Sequence, residues 1–383
     1  MQMNRRARLM ATLRGEPVDR PAVSFYEING LDQRSDDPSP FNIYSHPSWA
    51  PLIELARTQT DRIVMRPAAL RDGPADPLTE LTSVEQWDEG GTRYERRTIR
   101  SGRRTFTSTT RRDPDVNTVW TVEHFLKGPE DLKAWLELPE PQPGGAAETE
   151  RVLAAEAQLG NTGIVMLDTA DPLCIAAALF DLGTYTVVAT TEPRLFHRLL
   201  ERYAAILGPR TAAVALALPG RLWRIYGPEY ASPPYLHPRL FREYVVRYDT
   251  PMVQAIQAQG GFARIHSHGR LFAILDDIAA TGCTGLDPIE PPPQGDVELA
   301  YVRQRYGRQM VLFGNLEASD IENLPTDEFA GKVRRALREG TAGEGRGFVL
   351  MPSACPYGRV LSPLALANYR KMIELIESVE NAM

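Results

Sequence analysis

The chain has 383 residues, of which 43% are hydrophobic and 24% charged, a composition ordinary for a globular protein. Its net charge of −6 argues against nucleic-acid binding, which requires clustered Lys and Arg to neutralise phosphates. We find neither an apolar run near the ~20 residues of a membrane span nor a signal-peptide core, so we expect no membrane association. Three widely separated cysteines, Cys174, Cys283 and Cys355, indicate a reducing, cytoplasmic setting rather than a disulfide framework.

The first third of the chain predicts two strands followed by an insertion. A helix over Arg5–Leu13 precedes a first strand at Ala22–Tyr26, and a helix through Trp49–Arg57 leads to a second strand at Arg62–Met65. From Thr92 to Phe125, β-branched and polar residues alternate between turn signals, a pattern typical of antiparallel hairpins. We interpret this segment, about residues 92–125, as an insertion on a loop of the main fold.

After a connector rich in Pro and Gly, strands and helices alternate regularly along the chain. The predicted strands are Gly163–Leu167, Leu222–Tyr226, Phe262–His266, Gly285–Asp287, Val311–Phe313 and Phe348–Met351, and the helices are Arg194–Leu218, Pro238–Gln259, Leu271–Ala280, Val297–Tyr306, Asp327–Glu339 and Pro363–Val379. With the two early strands this makes eight βα units, which close into a parallel (β/α)8 barrel, an α/β fold with one domain over residues 1–383. A doubly wound open sheet is the alternative, but no Gly-rich phosphate-binding fingerprint follows the first strand.

Polar residues gather at the predicted C-terminal ends of these strands, where a barrel carries its active site. We expect catalytic roles for three of them and contacts to a cofactor for two tyrosines: Glu229, Asp287 and Asn315, and Tyr226 and Tyr26. For Glu229 and Asp287, capping of the next helix is an equally supported interpretation.

The segment His266-Ser267-His268 is the sharpest single feature of the sequence. Two imidazoles at i and i+2 after an apolar strand suit Zn²⁺, and Cys355 at the end of the last strand supplies a thiolate as third ligand. The alternative is that one imidazole makes a local hydrogen bond while the other binds an anion, with Cys355 a small buried hydrophobic residue.

Four long segments of the chain resemble the uroporphyrinogen decarboxylase superfamily. They are RARLMATLRGEPVDRPAV, FARIHSHGRLFAILDDIAATGCTGLDPIE, LFGNLEASDIENLPTDEFAGKVRRAL and GFVLMPSACPYGRVLSPLALANYRKMIELI, so the resemblance covers nearly the whole chain and implies the barrel fold. True uroporphyrinogen decarboxylases carry an Arg-rich loop of the type MRQAGR after the first strand. Here the corresponding stretch is SFYEINGLDQRSDD, in which Arg34 is the only arginine.

The chain is more similar to the other branch, zinc-dependent methyltransferases that move a methyl group between a corrinoid protein and a thiol. Their zinc motif is His-x-Cys with a later Cys; His266 and Cys355 match it, and His268 replaces the first Cys. The resemblance therefore implies a methyltransferase-like enzyme with Zn²⁺ on His266, His268 and Cys355, a small-molecule substrate and a corrinoid carried by a separate partner protein.

Two other functions stay open at this point. One is a metal-free decarboxylase acting on a tetrapyrrole or another carboxylate, and the other is a non-catalytic barrel that binds a small ligand or a corrinoid partner. For the insertion, the alternatives are docking of such a partner, shielding of the barrel edge, or a contact between two copies in a homodimer.

Overall fold

The computed structural model of the protein describes residues 2–345 and 347–380. Its main sheet consists of β1 (Ala22–Val23), β2 (Arg62–Pro67), β3 (Gly163–Ala170), β4 (Leu222–Tyr226), β5 (Phe262–Ser267), β6 (Gly285–Pro288), β7 (Val311–Leu316) and β8 (Phe348–Pro352). These strands pair in the order β1-β8-β7-β6-β5-β4-β3-β2, and each pair is parallel. The order is that of successive βα units, which confirms the predicted fold class.

The sheet closes between β1 and β2 through Asp61, the residue before β2. The Asp61 backbone N–H donates to the Val23 carbonyl at 2.7 Å, and its carboxylate accepts the Val23 N–H at 2.9 Å. Arg8 and Arg20 donate to the same buried carboxylate at 2.6 and 2.9 Å. Because β1 is only two residues long, these contacts hold the seam that a longer strand would hold by backbone pairing.

Helices cover the outside of the sheet and fill most of the connections. The α-helices are Arg5–Arg14, Ala50–Gln59, Pro129–Trp135, Glu150–Leu159, Pro172–Ala177, Leu182–Thr191, Pro193–Ala217, Pro238–Phe241, Arg247–Ala258, Leu275–Ala280, Leu299–Tyr306, Ala318–Asn323, Thr326–Gly340 and Pro363–Glu380. In the helix predicted over Pro238–Gln259, Arg242–Val246 forms a π-helical turn. Within the two described ranges, every helix is too short or too polar to traverse a lipid bilayer.

Periodicity explains why these segments pack as helices. In Thr326–Gly340, the buried Phe329, Val333, Ala336 and Leu337 recur at the spacing of one helical face, while charged residues occupy the other. A cluster of apolar side chains fills the barrel interior, and two leucines of the N-terminal helix belong to it. Its members include Leu9, Leu13, Ile63, Ile164, Met166, Leu222, Phe313 and Met351.

The prediction for the first strand is wrong in length. Ala22–Tyr26 was expected, but the strand ends at Val23, and Tyr26 adopts a positive φ of 43°. Phe25 instead forms an isolated antiparallel bridge with Ile28, so the chain turns sharply at the barrel mouth. The turn directs Tyr26 and the following Glu27 toward the ends of the other strands.

The insertion is an antiparallel sheet, as predicted, but it is larger than residues 92–125. It has four strands, Thr82–Glu89, Thr92–Ser101, Arg104–Arg112 and Val119–Glu123, so it begins at Thr82. Ile99 and Phe106 are its buried apolar residues, and the Phe106 ring lies 5.3 Å from that of Trp135. The insertion is therefore packed onto the helical layer through these side chains.

Candidate active site

Asp287, at the end of β6, lies fully buried between the side chains of Arg264 and His266 of β5. Its Oδ2 is 2.8 Å from Nδ1 of His266, and its Oδ1 is 2.9 Å from Nε of Arg264. The contact arises because His266 and Asp287 are direct partners in the β5–β6 register. Burial by itself raises the pKa of Asp287, but Arg264 and His266 outweigh it and hold that pKa below its usual range. Asp287 is therefore ionised at neutral pH, and its carboxylate orients the His266 ring.

A second imidazole–carboxylate pair lies next to the first. Nδ1 of His268 is 2.7 Å from Oε1 of Glu290, whose Oε2 accepts the Gly269 N–H at 2.7 Å. Burial lowers the pKa of His268, but the Glu290 carboxylate more than reverses this and raises it. The His266 and His268 rings are 4.7 Å apart and nearly perpendicular. Since each Nδ1 faces a carboxylate, Nε2 of each ring is the nitrogen left for a third group.

A buried arginine forms the floor of the site. Arg224 of β4 donates two hydrogen bonds to Asp168, its register partner on β3, at 2.6 and 3.1 Å, and one to the Tyr26 hydroxyl. The Tyr26 ring stacks 6.0 Å from that of His266, and Nη1 of Arg224 lies 3.8 Å from Glu27. Burial raises the pKa of Tyr26, so its hydroxyl stays protonated. The positive charge of Arg224 is thus already paired with carboxylates of the protein itself.

Cys355 follows β8 and faces Glu27, to whose Oε2 its Sγ donates at 3.4 Å. Burial, reinforced by the Glu27 carboxylate, raises the pKa of the Cys355 thiol, which favours the neutral form. Among the described residues, no three His, Cys, Asp or Glu side chains are arranged to hold a metal ion. The Zn²⁺ site on His266, His268 and Cys355 therefore stays a prediction.

Glu229 lies in the loop after β4, beside the second histidine. Its Oε2 accepts the Gly227 N–H at 3.0 Å, and its side chain also lines a cavity of about 420 Å³. Oγ of Ser232 lies 2.7 Å from the Glu229 carbonyl oxygen and 3.1 Å from that of His268. Glu229 thus lies near the site, but the capping interpretation is wrong for it, because the side chain of His237 caps the next α-helix, Pro238–Phe241.

The two remaining predicted residues, Tyr226 and Asn315, lie in different places. The Arg224 guanidinium lies 5.3 Å from the centre of the Tyr226 ring, and Tyr226 is the register partner of His266, so this tyrosine borders the site. Asn315 lies on the wall of a different cavity of about 130 Å³, which Glu298 and Lys332 also line. The structure therefore brings together Tyr226 and the histidine pairs, with Asn315 in separate surroundings.

Glu317, at the end of β7, is a further ionisable group of the barrel mouth. Oγ of Ser353 donates to its Oε2 at 3.2 Å and accepts the Ala318 N–H at 3.1 Å. Burial, with the nearby Glu290 charge, raises the pKa of Glu317 to about 7. Glu317 therefore changes protonation state near neutral pH.

Sequence patterns do not single out Arg224 and Arg264, although both help to build the site. Each lies inside an otherwise apolar strand, LWRIY or FARIHS, which the hydrophobic pattern identifies only as a strand. The available signal is the rule that an arginine within a buried strand needs a partner. Applied to β4 and β5, that rule calls for an acidic partner for each arginine, and in the structure these partners are Asp168 and Asp287.

The chain is similar to one protein family and to several solved structures. The family model for uroporphyrinogen decarboxylase (URO-D) matches residues 123–378. A methyltransferase from Methanosarcina mazei is 17% identical, with a TM-score of 0.61, over 100% of this chain and 99% of that chain. D-psicose 3-epimerase, solved in the presence of D-fructose, is 10% identical with a TM-score of 0.31, over 62% of this chain and 92% of that one. No curated protein matches the chain.

The methyltransferase likeness supports the barrel along the whole chain, since at this identity it is evidence of fold. The family match covers well over half of the residues, including β3 to β8 and both histidines. The resemblance noted in the sequence is thereby confirmed, and the chain belongs to the uroporphyrinogen decarboxylase (URO-D) family.

Proposed function

We propose that this protein is a zinc-dependent methyltransferase-like enzyme. It moves a methyl group between a corrinoid, carried by a partner protein docked at the barrel mouth, and a small acceptor such as a thiol. The observation that carries the proposal is the pair of adjacent imidazoles at the end of β5, His266 and His268, each held at Nδ1 by its own carboxylate. Such carboxylate–imidazole pairs are the usual surroundings of histidine ligands to zinc.

The residues fit zinc at two of three positions. Asp287 and Glu290 fix the rings so that Nε2 of each remains for a metal. Cys355 would have to leave Glu27 and lose its proton to act as the third ligand. When bound, zinc would lower the pKa of an acceptor thiol, so that a thiolate is present near neutral pH. Asp287 and Glu290 keep the two rings in place, and burial at the strand end shields His266 from water.

The charges of the site favour this function over the decarboxylase alternative. A substrate with several carboxylates needs cations that are still available to bind them. Arg224 is paired with Asp168 and Arg264 with Asp287, so both arginines already face protein carboxylates. The loop after β1 also offers Arg34 paired with Asp36, which leaves no clear anchor for a polycarboxylate there.

The test is metal analysis of protein purified without chelator, compared among variants. We expect about one zinc per chain in the parent protein, and loss of that zinc in His268→Ala and Cys355→Ser. His237→Ala, at an exposed histidine, is the matched control and should retain the metal. A parent protein without zinc after reconstitution under reducing conditions would contradict the proposal. Turnover of a tetrapyrrole with CO2 release would instead establish the decarboxylase function.

A further inference from the structure

The cavity of about 420 Å³ beside Glu229 lies outside the histidine pairs, between the loops after β3 and β4 and the end of the insertion. Small-molecule sites commonly measure about 300 to 1,000 Å³, so it has the size of a ligand pocket. The rings of Phe180 and Tyr185 are buried, so they back the wall without being open to a ligand. The partly or fully exposed side chains, which a ligand can reach, include those of Thr121, His124, Leu182, Glu229, Tyr230 and Tyr235.

Three of the reachable side chains have a hydrogen-bond acceptor to spare. Glu229 accepts the Gly227 N–H with Oε2 at 3.0 Å, and within the part of the chain that the structure describes its Oε1 accepts from no other residue. Nδ1 of His124 lies 3.1 Å from the Ala178 carbonyl oxygen, so in the neutral ring Nδ1 is the donor and Nε2 the acceptor. Thr121, on an exposed strand, makes no side-chain hydrogen bond with the described residues. The cavity therefore offers a carboxylate oxygen, an imidazole nitrogen and a hydroxyl oxygen to a ligand.

The charge of the cavity wall is negative. Glu229 contributes a carboxylate, and none of the described residues that line the cavity is Lys or Arg. An anionic ligand would meet this carboxylate without a compensating lysine or arginine. Burial raises the pKa of Tyr230 to about 12, so that side chain is neutral at physiological pH. Because opposite charges attract more strongly where water is partly excluded, the wall favours a cation at Glu229.

The acceptors of the wall also select the kind of cation. A primary ammonium has three N–H donors, and the wall offers three acceptors for them, on Glu229, His124 and Thr121. A guanidinium prefers a carboxylate with both oxygens available, but one oxygen of Glu229 is held by Gly227. A quaternary ammonium has no N–H group and would leave these acceptors unmatched. For a metal ion, the described residues hold no suitable group of three His, Cys, Asp or Glu side chains.

The rest of the reachable wall suits a short hydrocarbon chain. Leu182 and Tyr235 are exposed, and Ala177 and Ala178 add apolar surface between them and the insertion. A small amine whose carbon chain lies on these side chains therefore fits both the polar and the apolar parts of the cavity.

We propose that this cavity binds the primary ammonium group of the small methyl acceptor, so that the acceptor is an amine-bearing thiol rather than an acidic one. The cavity adjoins the histidine pairs, because Oγ of Ser232 lies within hydrogen-bond distance of both the Glu229 and the His268 carbonyl oxygens. Binding of the ammonium stands on the cavity alone. That the amine also carries the reacting thiol rests on the proposed function.

The experiment is calorimetric titration of the full-length protein with ethylamine and with three thiols that differ in their second group: cysteamine, 2-mercaptoethanol and 3-mercaptopropionate. We expect saturable binding of ethylamine and cysteamine. 2-Mercaptoethanol should bind at least about tenfold more weakly than cysteamine, because its hydroxyl carries no charge to pair with Glu229. 3-Mercaptopropionate should bind more weakly still, since its carboxylate would face that of Glu229.

Glu229→Gln separates binding from folding. Glutamine can still accept the Gly227 N–H through its carbonyl oxygen, so the loop should keep its shape without the charge. It should weaken both amines by about tenfold and leave 2-mercaptoethanol binding unchanged. Thr121→Val, at an exposed strand residue, removes one acceptor and should weaken both amines by about threefold. Glu130→Gln, at an exposed residue of the helix Pro129–Trp135, is the matched control and should change none of these affinities.

Equal binding of cysteamine and 2-mercaptoethanol would overturn the inference, as would failure of both amines to bind or amine affinities that Glu229→Gln leaves unchanged. An advantage of cysteamine that came from chelation of zinc would survive in Glu229→Gln and would not extend to ethylamine. Ethylamine has no thiol, so its binding by a protein that holds no zinc would uphold the cavity while methyl transfer fails. Zinc without binding of either amine to the cavity would uphold the metal site and overturn the inference.

Discussion

His266 and His268 are two residues apart, yet their carboxylate partners differ in surroundings. Asp287 is fully buried and shared with the Arg264 guanidinium, whereas Glu290 shares its charge with a backbone N–H. Moving the first pair would disturb a buried charge network, while the second pair depends on a loop. We therefore expect His266 to be the rigid member of the pair and His268 the adaptable one.

Glu317 gives the molecule a pH dependence near neutrality. Its folded pKa of about 7 lies above its ordinary value of 4.5, so the folded state holds this proton more tightly than the unfolded chain. Stability is therefore lost as the pH rises from about 4.5 through about 7, and the loss is complete above that range. Glu317→Gln should abolish this loss and make the protein more stable at pH 8 by on the order of 1 kcal/mol.

Urea unfolding at pH 5 and pH 8 measures this difference. Glu328→Gln, at an exposed residue of the neighbouring helix, is the matched control and should change little at either pH. A stability difference between Glu317→Gln and the parent that is the same at both pH values would contradict the assignment.

At the scale of elements, the later strands were predictable because each is a short apolar run. Leu222–Tyr226 is observed with its predicted bounds, and the strands after it begin where predicted but extend one to three residues further. The first strand was predicted too long because the positive φ of Tyr26 leaves no mark in an apolar segment. The insertion was predicted too short because Thr82–Glu89 is mostly exposed and lacks apolar alternation.

Contacts within the candidate site could be predicted where they follow from the order of the strands in the barrel. Parallel neighbours align at their C-terminal ends, so the proximity of His266 and Asp287 follows from the barrel itself. The contacts of His268 with Glu290 and of Cys355 with Glu27 depend on the course of loops and on side-chain rotamers. Neither is encoded in a periodic pattern, so these partners emerge only in three dimensions.

The closure of the barrel at Asp61 leads to a prediction about an element. Asp61→Ala removes the carboxylate that Arg8 and Arg20 share and the acceptor for the Val23 N–H. Because breaking a buried ion pair leaves an uncompensated charge, we expect a loss of about 3 to 5 kcal/mol in unfolding free energy. Denaturant titration followed by far-UV circular dichroism measures it.

Asp61→Asn can still accept the Val23 N–H and should lose less than the alanine variant. Glu16→Ala, at an exposed residue shortly before the first strand, should change stability by less than about 0.5 kcal/mol. An alanine variant at position 61 as stable as the Glu16 control would show that the seam is held in another way.

At the scale of the whole molecule, the insertion and the barrel are expected to unfold together. Phe106 is 3% exposed and packs edge-on against Trp135 of the helical layer. Phe106→Ala should therefore lower the unfolding free energy by about 3 to 5 kcal/mol within a single transition. Val122→Ala, at an exposed position of the same small sheet, should have little effect.

Differential scanning calorimetry distinguishes these cases. A separate transition for the insertion, with the barrel transition unchanged in Phe106→Ala, would show that the two parts are energetically independent. A shared transition that moves to lower temperature in Phe106→Ala but not in Val122→Ala is the expected result.

The four-stranded insertion and the histidine pairs belong to different parts of the chain. Thr121 and His124, at its end, form part of the cavity wall, whereas the histidine pairs stand on β5 and its loop. The family model begins at residue 123, so nearly all of this sheet lies before the matched region. Exchange of the insertion between related barrels would therefore alter only one edge of the cavity and leave the two histidine pairs unchanged.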